Sequence, residues 1–219
     1  HGGLGVEQDC TEAMRWYRDA VAHGDTTALS NIGRLFEDGL GVQKNLAEAV
    51  KYYRLAADKL DGEGLFNVGR CYRDGVSVSQ DFAEAQRWFL LAVEEEDAAA
   101  MTAMGALYHD AQGVPKNLSI ALSWYRRAAD AGHSWAMKNL GLMFRDGDGV
   151  TRDYGEAMRW LRLAADKGEA VAMVCIGCMY DSGTGVAVNH TESMTWFRQA
   201  SELGSADAAY NIGLQFKYA

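Results

Sequence analysis

The chain has 219 residues, of which 48% are hydrophobic and 23% are charged, values that are ordinary for a globular protein. Its formal net charge of −9 argues against a nucleic-acid partner or an anionic membrane surface, because both kinds of binding need a basic patch. No apolar run approaches the roughly 20 residues that a membrane-spanning helix needs, so we predict no membrane insertion.

After a first stretch, residues 1–24, that is typical of a single helix, the sequence becomes periodic. Trp or Tyr recurs every 36 positions, at Trp16, Tyr52, Trp88, Trp124, Trp160 and Trp196. Glycine recurs with the same period, at Gly33, Gly69, Gly105, Gly141, Gly177 and Gly213. A strict period of this length predicts stacked copies of one structural unit, because such a unit cannot bury its apolar faces alone.

Residues 25–60 show what one unit contains. Ala28, Ile32 and Leu35 have the spacing of an apolar helix face, and the sequence EDGLGV then ends that helix. Asn45 has the side chain and the position of an N-cap for a second helix. The equivalent caps are Asp9, Asp81, Asn117, Asp153 and Asn189. Each unit is therefore predicted to be a helix-turn-helix pair.

The period sets the repeat boundaries along the rest of the chain. Full repeats are predicted at 25–60, 61–96, 97–132, 133–168 and 169–204, with half repeats at 1–24 and 205–219. A mid-helix glycine costs about 1 kcal/mol relative to alanine, so the recurring glycine is best explained by close helix packing. Three turn positions depart from the glycine pattern, at Leu60, Ser77 and Ala111.

The segment AMKNLGLMFRDGDGVTRDYGEAMRWLRLAADKG at 136–168 resembles the Sel1-like repeat, a relative of the tetratricopeptide repeat. The resemblance extends over essentially the whole chain. With the repeat pattern, it predicts an all-α, right-handed α/α superhelical solenoid of 36-residue helix-turn-helix repeats, forming a single domain over residues 1–219.

The resemblance also implies that the first helix of each repeat lines a concave, peptide-binding face. The candidate binding residues on that face are Asn31, Arg34, Phe66, Asn67, Arg70, Arg73, Trp135, Lys138, Asn139, Arg145, Tyr210 and Asn211. Asparagine amides can bond a peptide backbone, and arginine can grip a carboxylate with two hydrogen bonds. The recurring Asn has an alternative interpretation, in which it is a scaffold residue that bonds a neighbouring helix.

Catalytic chemistry has no visible motif in this sequence. Ser-x-x-Lys, which serine β-lactam hydrolases need, is absent. Cys175 and Cys178 form one CxxC inside a helix, a weak metal or redox signal by itself. We therefore predict no catalytic residue, no metal and no cofactor.

The sequence favours a non-catalytic adaptor that binds a protein or peptide partner in the concave groove. The alternatives are a hydrolase-type enzyme with an active site in that groove, or a structural module that self-associates through its terminal half repeats. The cellular location stays open. The cytoplasm is favoured, because no signal peptide and no disulfide pattern is visible, but the chain starts without Met and the secretory pathway remains an alternative.

Overall fold

The computed structural model describes residues 9–218, which form twelve α-helices and no strand. The helices are α1 Cys10–Ala22, α2 Thr27–Asp38, α3 Leu46–Ala57, α4 Gly62–Asp74, α5 Phe82–Glu94, α6 Ala98–Asp110, α7 Leu118–Asp130, α8 Ser134–Asp146, α9 Tyr154–Asp166, α10 Ala170–Ser182, α11 His190–Glu202 and α12 Ala206–Tyr218. Even-numbered helices are the first helices of the repeats, and odd-numbered helices are the second. Residues 1–8 of the predicted N-terminal half repeat, and Ala219, lie outside the described residues.

The helices fall into two compact units, of which one ends at Met104 and the other begins at Gly105. In the first unit consecutive helices pack against each other from α1 through to α5, and α2 also contacts α4. In the second unit each helix from α7 to α12 packs against the next. The sequence-predicted helix pairs are therefore present in both units.

All six residues predicted to cap the second helices do so. Asp9, Asn45 and Asp81 each accept hydrogen bonds from two backbone amides in the first turn of their helix. Asn117, Asp153 and Asn189 each accept one such bond, from the residue three positions on. A cap of this kind contributes about 1 kcal/mol, which explains why Asp or Asn recurs at this position in every repeat.

The recurring glycine of the first helix lies directly against a large side chain of the following second helix. A Cβ placed on Gly33 would lie 2.6 Å from the Tyr53 ring, and one on Gly69 would lie 2.7 Å from the Phe89 ring. Gly105, Gly141 and Gly177 have the same relation to Tyr125, Leu161 and Phe197, respectively. We call each of these pairings a glycine notch. The predicted packing role of the glycine is thus confirmed at five positions.

The side chain in the notch follows the recurring Trp or Tyr by one residue. Tyr53, Phe89 and Phe197 are each no more than 1% exposed. The preceding residue faces outward to a greater degree, and Trp16 is 61% exposed. Of the two adjacent bulky residues, the second therefore fills the space that the glycine leaves.

Four non-glycine residues adopt the left-handed backbone conformation at turns. They are Leu60, Ser77, Glu96 and Ala111, with φ between 55° and 59°. Leu60, Ser77 and Ala111 are the three departures from the glycine pattern named above, and Glu96 is a fourth, at the repeat position of Leu60. Gly39 and Gly75, which are equivalent to Ala111, have φ of 73° and 71°. The turn geometry is therefore kept even where its preferred residue is missing.

We expect Ala111→Gly to raise the free energy of unfolding by about 0.5–1 kcal/mol. The left-handed conformation costs a residue with a Cβ about 1–2 kcal/mol, and glycine removes this cost. Glycine also raises the conformational entropy of the unfolded chain, which offsets part of the stabilisation. Urea denaturation measures the change. The matched control is Ala209→Gly at an exposed position of α12, which should instead lower stability by about 1 kcal/mol. Destabilisation by both substitutions would contradict this explanation of the turn.

Candidate functional site

A groove with a cavity of about 530 Å³ lies on the first helices of the unit that ends at Met104. Helices α2 and α4 and the start of α6 supply most of its surface, and Tyr53 of α3 also lines it. We call it the α2–α4 groove. Its lining residues are Arg34, Glu37, Asp38, Tyr53, Glu63, Phe66, Asn67, Arg70, Asp97 and Ala99.

Glu37 and Arg70 form a two-pronged ion pair between neighbouring repeats. Arg70 Nη1 donates to Glu37 Oε1 at 2.7 Å, and Nη2 donates to Oε2 at 2.5 Å. The Tyr53 hydroxyl donates to the same Oε2 at 2.6 Å. The Arg70 and Glu37 side chains are 23% and 20% exposed, so solvent screens this pair less than a surface pair. The cluster ties α2, α3 and α4 together.

The cluster also fixes the protonation states of its members. Hydrogen bonds from Arg70 are the main cause that lowers the pKa of Glu37, with a further contribution from Tyr53. Burial, followed by the hydrogen bond to Glu37, raises the pKa of Tyr53, and the hydrogen bonds to Glu37 raise the pKa of Arg70. Each group is held in its ordinary state at neutral pH. None of the three is therefore poised as a general acid or base.

The second arginine of the groove is paired as well. Arg34 Nη2 donates to Glu63 Oε1, which joins α2 to α4 at the open side of the groove. The sequence-based expectation was that these arginines would grip a partner's carboxylate. In the structure both already bind carboxylates of this chain, so an incoming carboxylate would have to displace Glu37 or Glu63.

Asp97 adds a carboxylate at the edge of the groove, at the start of α6. Its Oδ1 accepts a hydrogen bond from the Ala100 amide at 2.6 Å. Burial is the main cause that raises the pKa of Asp97, and the charges of Glu63 and Asp61 raise it further. Among the lining residues, four carboxylates face two guanidinium groups that are both already paired. The groove therefore has an excess of negative charge.

The asparagines of the predicted binding row bond within their own helices. The side-chain amides of Asn31 and Asn211 donate to the backbone carbonyls of Thr27 and Asp207, one turn back. Asn67 Oδ1 accepts from Arg70 Nε at 3.3 Å. These bonds do not join neighbouring helices. Both the scaffold and the binding interpretation of the row stay predictions.

Of the twelve predicted binding residues, Arg34, Phe66, Asn67 and Arg70 lie together in the α2–α4 groove. Arg73 is on α4 and pairs with its neighbour Asp74 at 2.7 Å. Asn31 is on α2 but does not line the groove, and the other six residues are in the second unit. There Arg145 pairs with Asp146, Lys138 Nζ lies 5.5 Å from the centre of the Trp135 ring, Asn139 is half-buried, and Tyr210 is 68% exposed.

Sequence reasoning missed Glu37, Tyr53 and Asp97 as groove residues. The sequence does contain a signal for Glu37. The equivalent position in other repeats is Arg73, Arg145 or Asp181. A position that changes its charge from repeat to repeat on a constant scaffold is a candidate for a specific contact. Tyr53 has two roles, because its ring lies in the notch of Gly33 while its hydroxyl reaches the groove.

Two features are absent from the described residues, 9–218. No helix in this range is long and apolar enough to cross a membrane. Within the same range, no group of three or more His, Cys, Asp or Glu side chains is arranged so that it could hold a metal ion.

The fold and the groove can be compared with known proteins. The Sel1 repeat family matches residues 1–25, 26–59, 62–97, 98–133, 136–169 and 169–205. A comparison with the curated proteins finds no match.

Among solved structures, a Sel1 repeat protein from Oxalobacter formigenes is 33% identical, with a TM-score of 0.79, over 90% of this chain and 81% of that chain. The protective antigen c5321 of uropathogenic Escherichia coli, which has an SLR fold, is 31% identical, with a TM-score of 0.69, over 96% of this chain and 45% of that chain. The immunity protein Pa5087 from Pseudomonas aeruginosa is 19% identical, with a TM-score of 0.69, over 93% of this chain and 77% of that chain, which shows a shared fold only.

These relatives confirm the predicted fold class, an all-α solenoid of helix-turn-helix repeats. The family matches cover nearly the whole sequence, and one solved relative of which the chain covers 81% is above 30% identity. The chain belongs to the Sel1 repeat family.

Proposed function

We propose that the chain is a non-catalytic adaptor that holds an extended segment of a partner protein in the α2–α4 groove. Sel1 repeat proteins are generally protein–protein interaction modules and are typically non-catalytic scaffolds. The observation that carries the proposal for this chain is the groove itself, which combines an aromatic side chain with an excess of carboxylates. The proposed partner segment presents a lysine or arginine beside an apolar side chain.

Charge supports this choice of partner. Arg34 and Arg70 are neutralised by Glu63 and Glu37, so Asp38 and Asp97 carry the unbalanced charge of the lining. A cationic side chain near Asp97 would favour its ionised form, which burial and neighbouring acids disfavour in the free protein. An acidic segment would meet like charges, which costs several kcal/mol at a desolvated interface.

Phe66 supplies the apolar part of the groove. Its ring is half-buried and packs against the ring of Phe89 with centroids 5.8 Å apart, so it is held in place rather than mobile on the surface. A fixed aromatic side chain in a concave site can anchor a partner's apolar side chain at low entropic cost. The cavity volume of about 530 Å³ falls within the range of about 300–1,000 Å³ that is usual for binding sites.

The test is a peptide array in which a central Lys, Arg or Glu is flanked by varied residues. We expect binding to the Lys and Arg arrays, strongest where an apolar residue is adjacent. The double variant Glu63→Gln/Asp97→Asn should weaken binding of the best peptide about tenfold, because rim and buried charges both guide a cationic ligand. Asp97→Asn keeps the oxygen that caps α6.

The matched control is Glu48→Gln/Glu84→Gln, which removes the same charge from the second helices α3 and α5. It should change peptide affinity by less than about twofold, since exposed charges at a distance are screened by salt. Equal weakening by both double variants, or a preference for the Glu array, would contradict the proposal that the groove binds a cationic segment.

The enzyme alternative predicts a cluster of groups with strongly shifted pKa values. Glu37, Tyr53 and Arg70 form such a cluster, but each shift stabilises the state that the group has anyway at neutral pH. This is the behaviour of a structural ion-pair network, and it supports the adaptor over the hydrolase.

Self-association is a second candidate, and one feature favours it. Gly213 of α12 is the sixth recurring glycine, and a Cβ placed on it would meet no atom within 4 Å. Tyr17 of α1 holds the same repeat position as the notch residues Tyr53 and Phe89. We propose that Tyr17 of a second copy fills this notch. Sedimentation velocity should then show association that Gly213→Val abolishes; a concentration-independent monomer would contradict it.

A further inference from the structure

A second cavity, of about 410 Å³, contains three sulfur-bearing side chains. Cys175, Cys178 and Met179 of α10 line it, together with Arg145 of α8. The three sulfur residues are spaced i, i+3 and i+4, which places them on one side of the helix. No disulfide joins either cysteine. We call this group the α10 sulfur cluster.

The helical spacing suits a bridging metal ion better than a disulfide. Side chains three positions apart on a helix have Cβ atoms about 5–6 Å apart, whereas a disulfide needs about 3.5–4.5 Å. Thiolate and thioether ligands are soft donors, and among biological metals they select Cu(I). Zn²⁺ prefers four ligands in a closed tetrahedron, which two thiols and a thioether do not supply.

We propose that the α10 sulfur cluster binds one Cu(I) ion through Cys175 and Cys178, with Met179 as a third, neutral donor. Two thiols each lose a proton and one Cu(I) is bound, so the bis-thiolate complex carries a single negative charge. Arg145 Nη1 lies 3.9 Å from the Cys175 sulfur. Arg145 also pairs with Asp146, and Arg152 lines the same cavity, so two guanidinium groups face one carboxylate and leave one positive charge to balance the complex. The binding step involves no oxidation or reduction.

The cluster is open to an incoming metal carrier. Cys178 is exposed and Cys175 is half-buried, while Met179 is 2% exposed and forms the floor of the cavity. Cys10 is half-buried like Cys175 but lies on α1, outside this cavity, so it serves as a matched control.

The experiment is an anaerobic titration of the whole chain with Cu(I) in competition with the chromogenic chelator bicinchoninate. We expect one Cu(I) per chain and an ultraviolet thiolate-to-copper charge-transfer band. Cys175→Ser and Cys178→Ser should each weaken binding by about 100-fold or more, since loss of groups beyond the ligands themselves already costs 10–100-fold. Met179→Leu should weaken binding less and keep the stoichiometry, and Cys10→Ser should leave both unchanged.

Circular dichroism of each variant checks that the helices are retained. Cys178 is exposed, so its replacement by Ser should not disturb packing. The proposal is overturned if the wild-type chain takes no Cu(I) from the chelator, or if Cys178→Ser binds as tightly as the wild type. It is also overturned if Cys10→Ser weakens binding as much as Cys175→Ser.

Discussion

Replacing Gly69 by Val should lower the free energy of unfolding by about 3 kcal/mol, the upper part of the usual range for overpacked cores. The added Cβ would lie 2.7 Å from the Phe89 ring and 3.2 Å from the Ala85 carbonyl oxygen. Phe89 is fully buried, so its ring has no free space into which it can move. Urea denaturation at low protein concentration, monitored by circular dichroism, measures the loss.

Gly213 provides the matched control, because it has the same repeat position without a neighbour. A Cβ at Gly213 would meet no atom within 4 Å. Gly213→Val should therefore change stability by no more than about 0.5 kcal/mol, the difference in helix propensity between the two residues. Similar losses at Gly69 and Gly213 would show that the glycine row reflects helix propensity rather than close packing.

The second large effect is expected at Glu37. Glu37→Gln should lower the free energy of unfolding by about 2 kcal/mol at neutral pH, because hydrogen bonds to charged groups contribute about 1.5–3 kcal/mol and this pair is shielded from water. The variant leaves Arg70 without its ionic partner and replaces the acceptor of the Tyr53 hydroxyl. The matched control is Glu48→Gln, which breaks an exposed Lys51 pair and should cost about 0.5 kcal/mol or less.

The wild type and Glu37→Gln can also be compared as a function of pH. The pKa of Glu37 is lower in the folded chain than in the unfolded chain, where a glutamate has a pKa of about 4.3. Its contribution to stability is therefore complete above that value and is lost as the pH falls through the lower, folded-state pKa. The stability difference between wild type and Glu37→Gln should shrink below about pH 4. A difference that stays constant in acid would mean that Glu37 does not act through its charge.

Most of the fold was predictable because six copies of one pattern stand in a single sequence. Any one Gly33 or Asn45 is a weak signal, but a position that keeps its residue type through every repeat must meet the same constraint each time. Glycine notches and helix caps are local constraints of this kind. Leu60, Ser77 and Ala111 show that the constraint lies in the turn, since the left-handed conformation persists at these positions without glycine.

The groove was only partly predictable, because its contacts join side chains from different repeats. The helical period correctly placed Arg34, Phe66, Asn67 and Arg70 on one surface. It could not show that both arginines are already bound to carboxylates, since this depends on side-chain rotamers and on the offset between neighbouring helices. The sequence suggested a partner segment with a carboxylate, whereas the groove in the structure favours a segment with a lysine or arginine.

The central claim is that the α2–α4 groove is the surface that receives a partner. The most direct test is an NMR titration of the isotope-labelled chain with the best lysine-centred peptide from the array. We expect chemical-shift changes on α2, α4 and the first turn of α6, with Phe66 and Arg70 among the most affected residues. Changes confined to the second helices α3 and α5, or to helices α8–α12, would contradict the claim.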